Sequence, residues 1–111
     1  MAEDRSGAPE PSGLAEAIEE LASGLDEVDR RKAGSAVEFL RGNVLFAVLE
    51  GSSLVVHLAP EVADAAVRTP DASRSNRGSD WVSLRPKALD EFALDRARSW
   101  FESAHRHAAP E

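Results

Sequence analysis

The stretch from residue 68 to residue 87 gathers positive charge around one tryptophan in an otherwise acidic chain. Its cations are Arg68, Arg74, Arg77, Arg85 and Lys87 and its anions are Asp71 and Asp80, whereas the whole chain has a formal net charge of −7. An arginine beside a tryptophan suits a planar anion or a stacked base. The candidate ligand-binding residues are therefore Arg74, Arg77, Trp81 and Arg85. In the simpler alternative, Trp81 packs into the core and the arginines balance nearby acids.

The histidines do not form a metal-binding pattern. His57 lies on a predicted strand with no second ligand near it in the sequence, so we expect a partly buried strand histidine. His105 and His107 are two residues apart on a predicted helix. A helix turns by about 100° per residue, so these two side chains point in nearly opposite directions. We expect a solvated helix end and no bound metal.

The sequence contains no recognisable set of catalytic residues. There is no cysteine, which excludes disulfides, thiolate metal ligands and a cysteine nucleophile. No serine lies in a Gly-x-Ser-x-Gly turn, and no glycine-rich phosphate loop follows a predicted strand. Adjacent carboxylates such as Glu19 and Glu20 are typical of a solvated helix face. We expect no catalytic residue and no cofactor, and an enzyme ranks last among the functional hypotheses.

The elements that position these residues are organised around residues 35–59. The run from Val44 to Leu49 is apolar at every position, which suits a central strand covered on both faces. Glycine-containing turns bound this run, and Gly42-Asn43 favours a two-residue hairpin loop that begins with glycine. Flanking strands are predicted from Ala36 to Leu40 and from Leu54 to Leu58. Since sequential strands usually pair, the sequence predicts a three-stranded antiparallel meander.

An amphipathic helix is predicted before the meander. Ser12 suits its N-cap, and its apolar stripe consists of Leu14, Ile18, Leu21, Leu25 and Val28. The segment from Asp29 to Gly34 is expected to close this helix, with cations at the negative end of the dipole and a glycine just past it. A heptad zipper is the alternative to a helix docked on the sheet, but the run is short and Gly24 interrupts it.

Further elements are predicted after the meander. A short helix begins at Pro60-Glu61, a long polar loop covers residues 68–80, and a strand runs from Trp81 to Arg85. Asp90 suits the N-cap of the last helix. The buried seam of that helix is predicted to consist of Leu89, Ala93, Ala97, Trp100, Ala104 and Ala108, widened by Leu94 and Phe101. The order α-β-β-β-α-β-α predicts an α+β fold in which a small antiparallel sheet packs against the N- and C-terminal helices.

Length and composition bound the organisation of the chain. Its 111 residues are expected to form one domain over residues 12–108, between a disordered tail at 1–11 and a short tail at 109–111. The acidic net charge disfavours nucleic acid without excluding it. No run is long and apolar enough to cross a bilayer, and the N-terminus lacks the apolar core of a signal peptide. We expect a cytoplasmic protein that is a monomer or a weak dimer.

Several short motifs resemble a known family of small bacterial domains. They are Arg31-Lys32 with Gly34, Arg41-Gly42, Leu45-Phe46-Ala47, Gly51 and the strand from Leu54 onward. Over about residues 14–108 the chain resembles the N-terminal domain of TfoX-like proteins, and its late Trp strand and Trp/Phe helix resemble MmcQ/YjbR-like proteins. The resemblance implies a small α+β domain, and it implies DNA-binding-like or competence-regulatory roles. Lys32-Ala33-Gly34-Ser35 replaces the aromatic Gly-Gly block of the family, and no functional residue is carried over.

The sequence favours a non-catalytic binding or regulatory module that interacts with a partner protein. The alternative is a binder of a small anion, a nucleotide or nucleic acid that uses the Arg/Trp residues of the 68–87 stretch. A partner strand could also pair with the exposed edge of so small a sheet.

Overall fold

The computed structural model describes residues 10–109, with the side chains of residues 13–109. In chain order the elements are α1 (Glu10–Gly24), β1 (Asp29–Ala33), β2 (Ala36–Arg41), β3 (Val44–Glu50), β4 (Ser53–His57), α2 (Pro60–Ala66), β5 (Ala72–Arg74), β6 (Trp81–Leu84) and α3 (Glu91–His107). The six strands form one antiparallel sheet in the order β1-β2-β3-β4-β6-β5. The predicted α+β class, with an antiparallel sheet packed against the N- and C-terminal helices, is confirmed. The predicted tails lie outside the described residues, apart from Glu10 and Pro11, which belong to α1, and Ala109.

The predicted meander corresponds to β2, β3 and β4. The loop between β2 and β3 contains two residues, Gly42 and Asn43, because Arg41 pairs with Val44. The φ angle of Gly42 is 63°, in the left-handed region that glycine adopts without a steric penalty, while that of Asn43 is not positive. This combination is typical of the hairpin loop that begins with glycine, as predicted.

An extra residue in β3 turns two phenylalanines toward the same face of the sheet. Phe39 of β2 pairs with Ala47, but the next residue, Leu40, pairs with Leu45. Phe46 is therefore left without a partner on β2. Such a β-bulge bends the strand and redirects the side chain at the bulge. Phe39 and Phe46 can then contact the same helix.

Phe101 of α3 packs against both of these rings. Its ring centroid lies 5.1 Å from that of Phe39 and 5.2 Å from that of Phe46, in edge-to-face arrangements. All three side chains are fully buried. An edge-to-face pair contributes about 0.5–1.5 kcal/mol beyond the burial of its surface. The three phenylalanines therefore attach α3 to the middle of the sheet.

All three helices lie on one face of the sheet. Ala47, Val56 and Val82 are register partners across β3, β4 and β6, and they belong to one buried cluster with residues of α1, α2 and α3. We call this side the helix face. The neighbouring row of register partners extends across the sheet from Glu38 of β2 to Ser83 of β6 and lies on the opposite side of the sheet. We call that side the outer face.

The last helix begins at a side-chain cap, and both long helices are held by apolar seams. The carboxylate of Asp90 accepts a hydrogen bond from the backbone N–H of Ala93 at 2.9 Å, which confirms the predicted N-cap. Leu14 and Ile18 of α1 are buried in the same cluster as α3, so α1 is a docked helix. Within the described residues, no helix is long and apolar enough to span a membrane.

Two short strands differ from the sequence-based prediction. The prediction that Asp29 to Gly34 closes the first helix is wrong, because α1 ends at Gly24 and Asp29–Ala33 pairs with β2 as β1. Pairing with β2 outweighs the weak helical preference of this charged segment. The polar loop predicted at residues 68–80 contains the three-residue strand β5, which pairs with β6.

Replacing Phe101 by alanine is expected to lower the free energy of unfolding by about 3–5 kcal/mol, because the change leaves a cavity between the rings of Phe39 and Phe46. Phe92 on the same helix is 78% exposed. Phe92→Ala is therefore the matched control, with an expected effect below about 0.5 kcal/mol. Urea denaturation of both variants measures the difference, and equal effects would contradict the proposed core.

Candidate functional site

The structure brings two of the four sequence-predicted site residues together. The guanidinium carbon of Arg77 lies 5.7 Å from the centroid of the Trp81 ring. Arg74 lies elsewhere, since it pairs in register with a helix-face residue of β6 and donates a hydrogen bond to Asp64 of α2 at 2.6 Å. The side chain of Arg85 makes no hydrogen bond or ion pair with any described residue. The four residues therefore do not form one site.

Trp81 instead belongs to a row of stacked side chains. Trp81 and His57 are register partners, and their rings stack with centroids 5.0 Å apart. His107, from the last turn of α3, places its ring centroid 5.1 Å from that of His57. On the other side of the row, Arg77 donates a hydrogen bond to Glu50 at 3.2 Å. We call the four side chains Arg77, Trp81, His57 and His107 the aromatic row.

Burial lowers the pKa of His57 from its ordinary value. The neighbouring His107 lowers it further, while Asp80 acts in the opposite direction. His57 is therefore neutral near pH 7, in keeping with the expected partly buried strand histidine. The contact with His107 was not predicted, because nothing in the local sequence links a strand residue to the end of a distant helix.

His105 and His107 point in different directions, as predicted, but only one of them is solvated. His107 is exposed. His105 is 8% exposed, its ring packs against Phe46, and its Nε2 atom has no hydrogen-bond partner within the described part of the chain. The expectation of a solvated helix end is therefore wrong for His105. Within the described residues, no three His, Asp or Glu side chains are grouped closely enough to hold a metal ion.

The arginines in and near the aromatic row are paired with carboxylates outside it. Glu50 accepts from Arg77 and Asp64 accepts from Arg74, as expected if the arginines balance nearby acids. The indole of Trp81 is already in contact with both His57 and Arg77. An anion or a base would have to compete with these contacts. The contacts of the row therefore stabilise the end of the sheet where β4 pairs with β6.

A second candidate surface is the edge formed by β1. All five of its residues are exposed, and no described strand pairs with its outer side. Ala33 pairs with Ala36 across a two-residue loop. Such a closing pair exchanges both backbone hydrogen bonds, and bonded and non-bonded pairs alternate from there. Arg31 is therefore bonded to β2, whereas the backbone N–H and C=O groups of Arg30 and Lys32 point outward and are available to another strand.

Ion pairs hold β1 in place. Arg30 donates to both carboxylate oxygens of Glu19 in α1, at 2.6 and 2.7 Å, and this contact raises the pKa of Arg30. Arg31 donates to its cross-strand neighbour Glu38 at 2.8 Å. Lys32 makes no ion pair with any described residue. Within the described part of the chain, the strand therefore presents one cation without an acidic partner, beside its outward-facing backbone groups.

Arg41 fixes the chain where it enters β1. Glu27, in the connection between α1 and β1, has a φ angle of 62°, which non-glycine residues adopt rarely. Arg41 donates to the carboxylate of Glu27 at 2.8 Å and to the carbonyl oxygen of His105 at 2.9 Å. One partly buried guanidinium thus connects this turn to the end of α3.

A pocket of ≈ 180 Å³ opens between α1 and β1. Its lining residues are Glu19, Ala22, Ser23, Val28, Arg30 and Phe39. Ala22, Val28 and Phe39 provide apolar surface, while the ion pair of Glu19 and Arg30 borders it. An apolar cavity of about 150 Å³ can hold a benzene molecule. The pocket therefore has room for one large apolar side chain, directly beside the unpaired edge.

Sequence reasoning missed this surface because it assigned Asp29–Gly34 to a helix end. One pattern in the sequence does indicate this strand. Gly34, Gly42 and Gly51 recur at nearly equal spacing, and each has a positive φ angle in the structure. Regularly spaced turn residues indicate a series of hairpins, which requires a strand before Gly34.

The lowered pKa of His57 predicts a pH dependence of stability. The unfolded chain binds more protons than the folded chain between the two pKa values, so the free energy of unfolding should fall as the pH falls from about 6.5 through the folded pKa. His57→Asn should remove this component. His107→Asn should raise the pKa of His57 part of the way toward its ordinary value, because desolvation remains.

Urea denaturation at about pH 7.5 and about pH 5.5 measures the stability change in each variant, and the NMR titration of the His57 ring measures its pKa. The wild type and His57→Asn share all other titrating groups, so their difference isolates the contribution of His57. Equal pH dependence of the wild type and His57→Asn would contradict the assignment.

Comparison of the chain with protein-family models, with curated proteins and with solved structures gave no match. The resemblance to TfoX-like and MmcQ/YjbR-like proteins stays a prediction.

Proposed function

We propose that the protein is a non-catalytic, cytoplasmic binding module that recognises a partner protein by adding a strand of the partner to β1. The observation that supports the proposal is the outward-facing backbone of Arg30 and Lys32 on an edge strand whose five residues are all exposed. Strand addition of this kind derives affinity from main-chain hydrogen bonds and specificity from pockets for alternate side chains. The pocket between α1 and β1 adjoins this strand, because Arg30 is among its lining residues, and it could receive such a side chain.

The opposite edge of the sheet is a poorer template. The strand β5 has three residues, and the side chain of Arg74 at its end is bonded to Asp64. The five-residue strand β1 offers two outward-facing residues and an adjoining apolar pocket. Strand addition is therefore expected at β1.

A planar anion is the second candidate ligand, and the observation that favours it is the position of Arg77 over Trp81. Binding would have to displace Glu50 from Arg77. Titration with a nucleotide or a single-stranded oligonucleotide at low salt, followed by Trp fluorescence, separates the two candidates. A salt-dependent change that Arg77→Glu abolishes would favour the anion over the strand.

Lys32→Pro tests strand addition, because it removes one outward N–H group and leaves the hydrogen bonds between β1 and β2 intact. Proline is tolerated on an edge strand where its missing N–H faces solvent. A peptide selected from a displayed library should bind this variant about two- to thirteenfold more weakly, the loss expected for one hydrogen bond of about 0.5–1.5 kcal/mol.

Two variants serve as controls for this experiment. Lys32→Ala removes the side chain and keeps the N–H group, so the effect of the backbone is the difference between it and Lys32→Pro. Arg31→Pro removes an N–H group bonded to β2 and should lower the free energy of unfolding instead. Peptides that bind Lys32→Pro and Lys32→Ala equally well would contradict strand addition at β1.

A further inference from the structure

We infer that the strand received by β1 carries an acidic residue and a large apolar residue two positions apart, with the apolar side chain in the pocket between α1 and β1. This inference rests on the proposed function and specifies its partner as an acidic, apolar extended segment of another protein. Pairing register, pocket volume and the charges of β1 support it separately.

The register sets where the partner's side chains project. Arg30 is the cross-strand neighbour of Phe39, and Phe39 packs against Phe101, so the side chain of Arg30 lies on the helix face. Lys32 is two residues further along β1 and lies on the same face. Directly opposed residues in a sheet project to the same side. The partner residues opposite Arg30 and Lys32 therefore both project on the helix face and are two positions apart.

The residue opposite Arg30 is the one that adjoins the pocket. Arg30 and its cross-strand neighbour Phe39 both line it, as do Ala22 and Val28. The charge of Arg30 is already matched by both oxygens of Glu19, so this position does not require an acid. The volume of ≈ 180 Å³ fits a leucine or phenylalanine side chain.

The residue opposite Lys32 meets a different environment. Lys32 has no ion-pair partner among the described residues, and it follows two arginines in a chain of net charge −7. Opposite charges directly across a sheet attract, whereas like charges repel. An aspartate or glutamate is therefore the favoured residue opposite Lys32.

A second copy of this chain is a poor occupant of the edge. In the antiparallel register that pairs all five residues of β1 with β1 of another copy, Arg31 would lie opposite Arg31 and Arg30 opposite Lys32. Such like-charge pairs destabilise a sheet. Charged edge strands are a common protection against self-association. Lys32 opposes self-pairing, and because it has no acidic partner among the described residues, the same charge attracts an acidic strand.

Eight synthetic peptides of equal length and strand propensity, which carry four residue pairs in two orders each, test the inference on the full chain. Their central residues are acid and leucine, acid and alanine, neutral and leucine, or lysine and leucine, each pair two positions apart and made in both orders. Fluorescence anisotropy of labelled peptides measures the affinity. The acid-and-leucine peptide should bind more tightly than each of the others in one of the two orders, by up to about fivefold relative to the neutral-and-leucine peptide.

Two substitutions connect the preference to the pocket. Ala22→Leu fills the pocket and should abolish the preference for leucine over alanine. Val28→Ala enlarges it and should shift the preference from leucine toward tryptophan. Circular dichroism confirms that each variant is folded, and Val28→Ala keeps the test usable if Ala22→Leu does not fold. An unchanged leucine preference in a folded variant would overturn the assignment of the pocket.

The outcomes separate this inference from the proposed function. Selective binding of the acid-and-leucine peptide that weakens in Lys32→Pro supports both. Binding of neutral or basic peptides that weakens equally in Lys32→Pro would overturn the inference and leave strand addition standing. Peptide binding that Lys32→Pro does not change would overturn both. Self-association without peptide that Lys32→Pro removes would also overturn both.

Discussion

The rest of the structure depends on the contact between three phenylalanines, which one extra residue in β3 makes possible. Without the bulge at Phe46, strict alternation would direct Phe39 and Phe46 to opposite faces of the sheet. With it, both rings pack edge-to-face on Phe101. This contact fixes α3 over the central strands. The end of α3 then supplies the carbonyl oxygen that holds Arg41, and Arg41 holds the turn at Glu27 that leads into β1. The position of the candidate binding edge is therefore a consequence of the core.

The open six-stranded sheet has two edges that need protection. At one edge β5 is short and its terminal arginine is bonded to α2. At the other edge β1 is longer and carries consecutive cations, two of which are matched by Glu19 and Glu38. Charge at an edge opposes pairing with a copy of the same strand, yet it leaves the outward backbone groups free. Protection against self-association and selective recognition of an acidic strand can therefore arise from the same residues.

Sequence reasoning succeeded where the signals were local. The turn at Gly42, the proline at the start of α2 and the cap at Asp90 each act within a few residues, and each structure forms as predicted. Reasoning failed where long-range pairing decided the outcome. The segment Asp29–Ala33 has no apolar alternation, so its strand conformation depends on β2. The approach of His107 to His57 and the pocket beneath α1 likewise arise only when distant elements pack together.

Amide hydrogen exchange along β1 in the free protein tests the central claim most directly, because it reports which backbone groups are already bonded. The account predicts that the amides of Arg31 and Ala33 are protected, whereas those of Arg30 and Lys32 exchange at rates close to those of an unstructured peptide. Equal protection of all these amides would contradict it, since the outer side of β1 would then be occupied or the segment would not be an edge strand.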